Sequence, residues 1–444
     1  MTDNQPIKAY NDQNVYILGA GFSAEAGLPL IKDFMNRMRD AAAWLTEQGE
    51  REREVKAIER VLAFRLRAAA AAYRVPLDIE NVEELFSLAS ASAGEGLGED
   101  MALAIAATLD FSRSTVPSLA EHQYFSLGAL DVPDWTKPPS WRPPIAQIQQ
   151  GVESGQLKGQ WYGCPPYEFY LGVMCSYFDK GGPDRRDTII TFNYDTVVED
   201  ALDALGIPFS YGAEQHIGWT TPEALSRAQR ARDGIRVLKL HGSVNWCDGA
   251  RLWAGTESKL AEVPHGIVAS MDRKIAAFPN YANLRKQGRT PLLVAPTWQK
   301  ALADHLSAIW DDSVAALRKA TRVIILGYSI PPTDQHFRYL LAAGLQDNIS
   351  LRKVFFVNPV LGKEEMKKQL EERLVGLFRR EHFEHGIIEL VPTDVREFLG
   401  GPRNINEESY RVRFGRCLNP PRHTWGTAPW TFYPPFVQGG WSIA

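Results

Sequence analysis

An apolar run, Val15-Tyr16-Ile17-Leu18, passes directly into Gly19-Ala20-Gly21-Phe22-Ser23-Ala24-Glu25-Ala26-Gly27-Leu28-Pro29, and this junction constrains the fold more than any other stretch. The run reads as a buried strand and the glycines as a tight turn after it. Such a turn lets backbone N–H groups approach a phosphate without a Cβ in the way. Gly19, Gly21 and Ala24 fit the G-x-G-x-x-G/A spacing of a strand–turn–helix unit that cradles a pyrophosphate. A standard unit then enters a long helix. Here Gly27 and Pro29 break the segment almost at once, which argues against an ordinary dehydrogenase.

Further runs repeat the pattern. Thr188–Thr191, Val237–Leu240, Leu292–Ala295, Val323–Leu326, Val354–Val357 and Ile387–Leu390 are short apolar segments without alternation. Helix-length segments separate them, including one from about Thr196 to Leu205 and one from about Trp298 to Ala320. Strands of this kind predict a parallel sheet covered on both faces, an α/β class. Between the first two strands the character changes. Ala57, Val61, Leu62, Phe64, Leu66 and Ala68 recur at helical spacing, and Asn81 is placed to cap a helix carrying Val82, Leu85, Phe86 and Leu88. This block reads as an inserted helical layer, followed by a Pro/Trp-rich connector over Val132–Pro144.

Composition excludes several classes. At 444 residues the chain can bury a large core. A net charge of −4 gives no support for a nucleic-acid-coating protein. No apolar stretch is long enough to span a bilayer, and the N-terminal residues lack a signal peptide's pattern, so the cytoplasm is expected. Cys164, Cys175, Cys247 and Cys417 contain no C-x-x-C pair and read as reduced thiols.

The chemistry-bearing residues fall where the strands end, the place at which open α/β sheets bind ligands. Asn193 and Asp195 follow Thr191; His241 and Gly242 follow Leu240; Gly327 and Ser329 follow Leu326; Asn358 follows Val357. Asn193 offers a donor and an acceptor, Asp195 accepts hydrogen bonds, and His241 is suited to act as a base near neutral pH. Each has a structural alternative. The glycine turn can be a simple connection, Asp195 can cap the helix that begins near Thr196, and His241 can be a satisfied structural histidine.

Taken in order, these motifs resemble the sirtuin family from about Asn14 to about Pro359. The family's Gly-Ala-Gly-x-Ser-x-x-x-Gly-Ile-Pro is matched by Gly19, Ala20, Gly21, Ser23, Gly27, Leu28 and Pro29. Its Asp-Phe-Arg continuation is replaced by Leu30-Ile31-Lys32. Thr-Gln-Asn-Ile-Asp appears as Thr191-Phe192-Asn193-Tyr194-Asp195, the catalytic histidine maps to His241, Gly-Thr-Ser to Gly327-Tyr328-Ser329, and Ile-Asn to Val357-Asn358. The resemblance implies a Rossmann-like, doubly wound parallel sheet and NAD as substrate. It implies Asn193 and His241 as catalytic residues, with Gly19, Ala20, Gly21, Ser23, Pro29, Asp195, Gly327, Ser329 and Asn358 holding the dinucleotide.

Two departures set the branch. The deacylases' four-cysteine zinc ribbon is missing near the His-Gly motif, where Cys247 stands alone and cannot make a tetrahedral site. Pro296 interrupts Leu293–Trp298, where deacylases pair with a peptide as an added strand. The chain therefore resembles zinc-free, sirtuin-like effectors of prokaryotic antiviral defence, which hydrolyse NAD to ADP-ribose and nicotinamide. No metal is expected, and a helical insertion replaces the zinc module. The relatives imply self-assembly or a complex with a HerA-type ATPase or a short Argonaute, with nucleic acid met only indirectly and no membrane. The competing readings are a deacylase or ADP-ribosyltransferase and a non-catalytic NAD or ADP-ribose sensor.

The organisation expected is a first part of the α/β domain at 1–34, helical insertion and connector at 35–166, the remainder of the α/β domain at 167–400, and an aromatic, basic extension at 401–444. The extension, with Trp425, Trp430 and Trp441, reads as a protein contact, either a strap over its own domain or a surface for another subunit, rather than a nucleic-acid footprint.

Overall fold

The computed structural model describes residues 13–49, 51–75, 77–91, 96–115, 166–175, 187–213, 215–221, 235–249, 273–295, 303–330, 335–375 and 377–399. The Pro/Trp-rich connector, Pro296–Trp298, Cys164, Cys417 and the 401–444 extension lie outside these.

From the N-terminal side, β1 (Asn14–Leu18) leads through the glycine turn to four helices, α1 (Ile31–Gln48), α2 (Glu52–Ala72), α3 (Val82–Ala91) and α4 (Leu97–Thr115). Helix α5 (Pro166–Met174) precedes β2 (Thr188–Thr191) and α6 (Val197–Leu205). Then come β3 (Phe209–Ser210), β4 (Ile217–Trp219), β5 (Ile235–Lys239), β6 (Gly242–Ser243), β7 (Trp246–Asp248) and β8 (Ile275–Ala277). Helix α7 (Tyr281–Lys286), β9 (Leu292–Leu293), α8 (Ala303–Lys319), β10 (Arg322–Leu326), α9 (Gln335–Leu345) and β11 (Lys353–Val357) follow. The described part closes with α10 (Glu364–Val375), α11 (Arg380–Glu384), β12 (Ile388–Val391) and α12 (Val395–Leu399).

Seven strands form one sheet in the order β12-β11-β10-β1-β2-β5-β3, and every pairing in it is parallel. All residues of β1, β2 and β10 are buried, as strands covered on both faces must be. This is the α/β, Rossmann-like architecture expected. The chain moves from β1 to β2 and β5 on one side, then returns to β10, β11 and β12 on the other. The order therefore reverses between β1 and β10, the position at which such sheets open a crevice for ligands.

One expected strand is not in this sheet. Leu292–Ala295 contributes only β9, which pairs antiparallel with β6 directly after the His241 loop. The reason is local: Gly242 has φ +83°, turning the chain back, and a Cβ there would collide with the Leu292 carbonyl oxygen. A separate sheet, β4-β8-β7, and the two-residue edge strand β3 are too short to show in the sequence pattern.

The helical layer has its own core. Met38 and Ala41 of α1, Ile58 and Val61 of α2, and Met101 and Ala104 of α4 are fully buried. Burial of a large apolar side chain contributes roughly 1.5–3 kcal/mol each. Asn81 caps α3 as expected, its Oδ1 accepting from the Glu83 and Glu84 amides at 2.9 and 3.4 Å. Leu66, by contrast, is exposed on α2. Polar contacts dock the layer, among them Arg53 of α2, which donates to Gly288 O and Thr290 Oγ1 at 2.7 Å each. Buried Glu54 accepts from Arg51 and, at 3.1 Å, from the Tyr281 hydroxyl of α7; Arg113 of α4 pairs with Asp200 of α6. No helix among the described residues is long and apolar enough to cross a membrane.

Candidate functional site

The loops after β11, β10, β1, β2 and β5 lie side by side, because these strands are neighbours in the parallel sheet. They carry Asn358, Gly327, Gly19, Asn193 and His241 respectively. A cleft of ≈ 680 Å³ opens along four of them, lined by Gly19, Ala20, Gly21, Asn193, Gly327, Ser329 and Asn358 among others. That is within the roughly 300–1,000 Å³ of small-molecule and cofactor sites. A side chamber of ≈ 70 Å³ adjoins it, lined by Ser23, Pro29, Asn193, Tyr194 and Asp195 among others.

The exit from β1 departs from a standard dinucleotide turn, as Gly27 and Pro29 predict. Two single 3₁₀ turns, Ala20–Phe22 and Ala24–Ala26, replace the helix, Gly27 ends the second at φ +79°, and α1 starts only at Ile31. The glycines serve a purpose the sequence does not disclose. The Gly19 amide donates to Leu326 O (3.1 Å), and that of Gly21 to Gly327 O (2.8 Å). Those of Phe22 and Ser23 donate to Gly19 O and Ala20 O. A Cβ on Gly21 would lie 2.7 Å from the Gly327 oxygen, and one on Gly327 would collide with the Phe22 nitrogen. The glycines thus let the β1 and β10 loops pack backbone to backbone, and these four amides are already satisfied within the protein. Of the residues expected to cradle a phosphate, Gly19, Gly21 and Ser23 thus have their amide hydrogens engaged within the protein.

Asn193 is the central tie. Its Nδ2 donates to Gly19 O at 2.9 Å and Ser23 Oγ at 3.1 Å, while its amide donates to Thr191 Oγ1 at 3.0 Å. Both side-chain amide hydrogens are therefore used, and Oδ1 is the part that can serve a ligand, as an acceptor. Asp195 does cap: its Oδ1 accepts from Val197 N at 3.0 Å. It also lines the side chamber, so the structural and ligand-facing readings coexist. Asn358 is buried, with Oδ1 accepting from Val360 N and Nδ2 donating to Tyr328 O. Ser329 is exposed on the main cleft.

His241 is buried and packs edge-on against Phe192, ring centroids 5.1 Å apart, with Phe192 stacked in turn on Tyr328. It lines neither chamber. Phe192, which lines both chambers, and Tyr194, which lines the side chamber with its ring centroid 6.2 Å from that of His241, connect His241 to the site.

Several supporting residues escape sequence reasoning. The Tyr167 hydroxyl of α5 donates to Phe22 O and accepts from Ala26 N, bracing the glycine turn. The Arg373 Nη1 donates to the carbonyls of Ser329 and Ile330 at 3.3 and 3.5 Å. It holds Ile330 at φ +49°, an unfavourable conformation for a β-branched residue. Fully buried Lys239 donates to the Asp195 carbonyl and, at 2.8 Å, to Glu199 Oε1. Glu199 also accepts from the Tyr211 hydroxyl, which accepts from Asn245. Burial raises the Glu199 carboxyl above its ordinary value against the pull of Lys239, and the Tyr211 hydroxyl rises well above its own. A lysine in the otherwise apolar run Val237–Leu240 is the signal that could have exposed this network. The acidic rim of Asp78, Glu80 and Glu83, supplied by the helical layer, had no such signal.

Among the described residues no group of His, Cys, Asp and Glu is placed to hold a metal ion. Cys247 is buried, and burial pushes its thiol up to about 11.

No curated protein matches the chain. Residues 187–375 match the family model described as the SIR2-like domain. The match spans the loops that carry Asn193, Asp195, His241, Gly327, Ser329 and Asn358, and so ties this site to a domain type associated with the use of NAD.

Proposed function

We propose that the chain is an NAD⁺ glycohydrolase, cleaving NAD⁺ to nicotinamide and ADP-ribose. The observation that carries this reading is the cleft at the strand ends joined to a small, mostly apolar side chamber bordered by Asn193 and Asp195. The long cleft suits an ADP-ribose moiety along Gly327, Ser329 and Asn358. The side chamber suits the nicotinamide, with Asp195 to accept from its carboxamide. Asn193 Oδ1 then faces the bond between the two and orients a ribose hydroxyl or a water. His241 acts behind Phe192, as a base reached once the ring shifts.

The reading includes regulation. An unrestrained NAD hydrolase would destroy its own cell, so the active arrangement is a minor population until a partner binds it preferentially. Self-assembly, a HerA-type ATPase or a short Argonaute would supply that preference in the cytoplasm of an infected cell. A second reading, a subunit that binds NAD or ADP-ribose without cleaving it, is favoured by the absence of His241 from both chamber walls.

Incubation of the purified chain with NAD⁺, alone and then with each candidate partner, followed by chromatography of the products, tests both. Equal amounts of nicotinamide and ADP-ribose are expected, with His241→Ala slowed by about 10²–10⁴ and still folded. NAD⁺ bound but left intact under every one of these conditions supports the sensing subunit. Cleavage only in the presence of an acyl-peptide, giving acyl-ADP-ribose, identifies a deacylase instead.

A further inference from the structure

A cleft that takes a diphosphate must meet its charge, because an anion drawn out of water is costly unless it is paired and hydrogen-bonded. The turn after β1 has few donors to spare: the amides of Gly19, Gly21, Phe22 and Ser23 all donate to carbonyls of the protein. Among the described lining residues the cations are Lys32 and Arg373. Lys32 is largely exposed, its ammonium 4.0 Å from the Asp33 carboxylate. Arg373 is half-buried on the last turn of α10, and buried Leu370 and Leu374 fix the face that this helix turns to the protein. Its Nη1 donates to the Ser329 and Ile330 carbonyls at 3.3 and 3.5 Å. Among the described residues its Nε and Nη2 have no partner. Of the acids that line the cleft, Asp78 accepts from the Glu80 amide at 3.0 Å and Glu80 pairs with Arg65; none pairs with Arg373.

We propose that Arg373 grips the diphosphate of the bound dinucleotide, with Nε and Nη2 as the donors. This rests on the reading of the main cleft as the ADP-ribose half of an NAD⁺ site. Nε and Nη2 lie along one edge of the planar guanidinium, so their hydrogens form a fork that two oxygens of a phosphate accept together. Nη1, on the other side, is the nitrogen the protein uses. The loop that carries Ser329 and Ile330 therefore sets the plane of the fork. The same loop begins at Gly327, which packs against the turn after β1, so a phosphate on Arg373 is tied to the junction of the two loops. Lys32 has no such brace, and an exposed ammonium on a flexible stem gives a charge without a direction.

Calorimetric titration of the purified chain with ADP-ribose, at low and at moderate salt, is the test. Arg373→Gln is expected to weaken binding by about 10- to 100-fold at low salt, as loss of charge-assisted hydrogen bonds does, and to make the affinity less sensitive to salt. Arg373→Lys keeps the charge and loses the fork, so its affinity should fall between the two while its salt dependence stays that of the wild type. ADP-ribose bound equally by wild type and Arg373→Gln overturns the role of Arg373 and leaves the NAD⁺ site standing, even where NADP⁺ binds more weakly, since the contact is then to a 2′-phosphate. Weaker binding by Arg373→Gln with the wild-type salt dependence also overturns it, because the arginine then acts by bracing the Ser329 loop. Wild-type chain that binds no ADP-ribose overturns both.

Discussion

The side-chain amide of Asn193 donates to the carbonyl of Gly19 at 2.9 Å, locking the end of β2 onto the turn that follows β1. With the second bond to Ser23, this single residue couples two loops where the main cleft and the side chamber adjoin. Asn193→Asp replaces the donor by a carboxylate facing a carbonyl. A loss of about 1–3 kcal/mol is expected by urea titration, together with loss of NAD⁺ cleavage. Asn193→Ala should lose cleavage with a similar or smaller stability loss, measured the same way.

The glycines make a graded prediction. Gly49 ends α1 at φ +70° with nothing within 4 Å of an added Cβ, so Gly49→Ala should cost about 1–2 kcal/mol, the conformational penalty alone. Gly327 has φ +63°, and there an added Cβ would collide with the backbone nitrogen of Phe22. Gly327→Ala adds overpacking of roughly 1–3 kcal/mol to the conformational penalty. The order of denaturation midpoints is the check, and Gly327→Ala should also weaken ADP-ribose binding while Gly49→Ala does not.

Lys239 and Glu199 form a buried pair beneath Asp195. Lys239→Met leaves the Glu199 charge uncompensated and is expected to destabilise by about 3–5 kcal/mol. Adding Glu199→Gln should recover much of that loss, because the orphaned charge is gone. A double variant no more stable than Lys239→Met would show that the lysine acts through the Asp195 carbonyl alone.

Cys247 gives a pH signature. Burial holds its thiol at about 11 rather than the ordinary 9.0, so the folded state prefers the neutral form. The contribution to stability is complete below about pH 9 and is lost as pH rises towards 11. Cys247→Ala should flatten this alkaline decline in chemical denaturation, and Cys247 in the folded chain, followed by peptide mass mapping, should resist iodoacetamide near pH 8. A zinc chelator should leave both the melting temperature and NAD⁺ turnover unchanged; unfolding on chelation would place the chain in a zinc-bearing branch.

The parallel sheet was legible because strand runs and turn residues are local signals. Val15–Leu18, Thr188–Thr191, Val323–Leu326 and Val354–Val357 each lie within strands of the observed sheet, and Asn81 caps the helix it announces. Leu292–Ala295 misled because an apolar run states burial and not the direction of pairing, which Gly242 reverses.

The sequence by itself determined which loops meet. Residues placed after successive parallel strands must gather at one edge of the sheet, so Gly19, Asn193, His241, Gly327 and Asn358 were bound to share a neighbourhood. Tertiary structure alone decided what each does there. Gly21 against Gly327, Asn193 against Gly19 and Phe192 against His241 are all contacts between residues distant in the chain. Local periodicity and motif spacing carry no record of such contacts, because they arise only when packing of the helical layer and the sheet brings separate segments within a few ångströms.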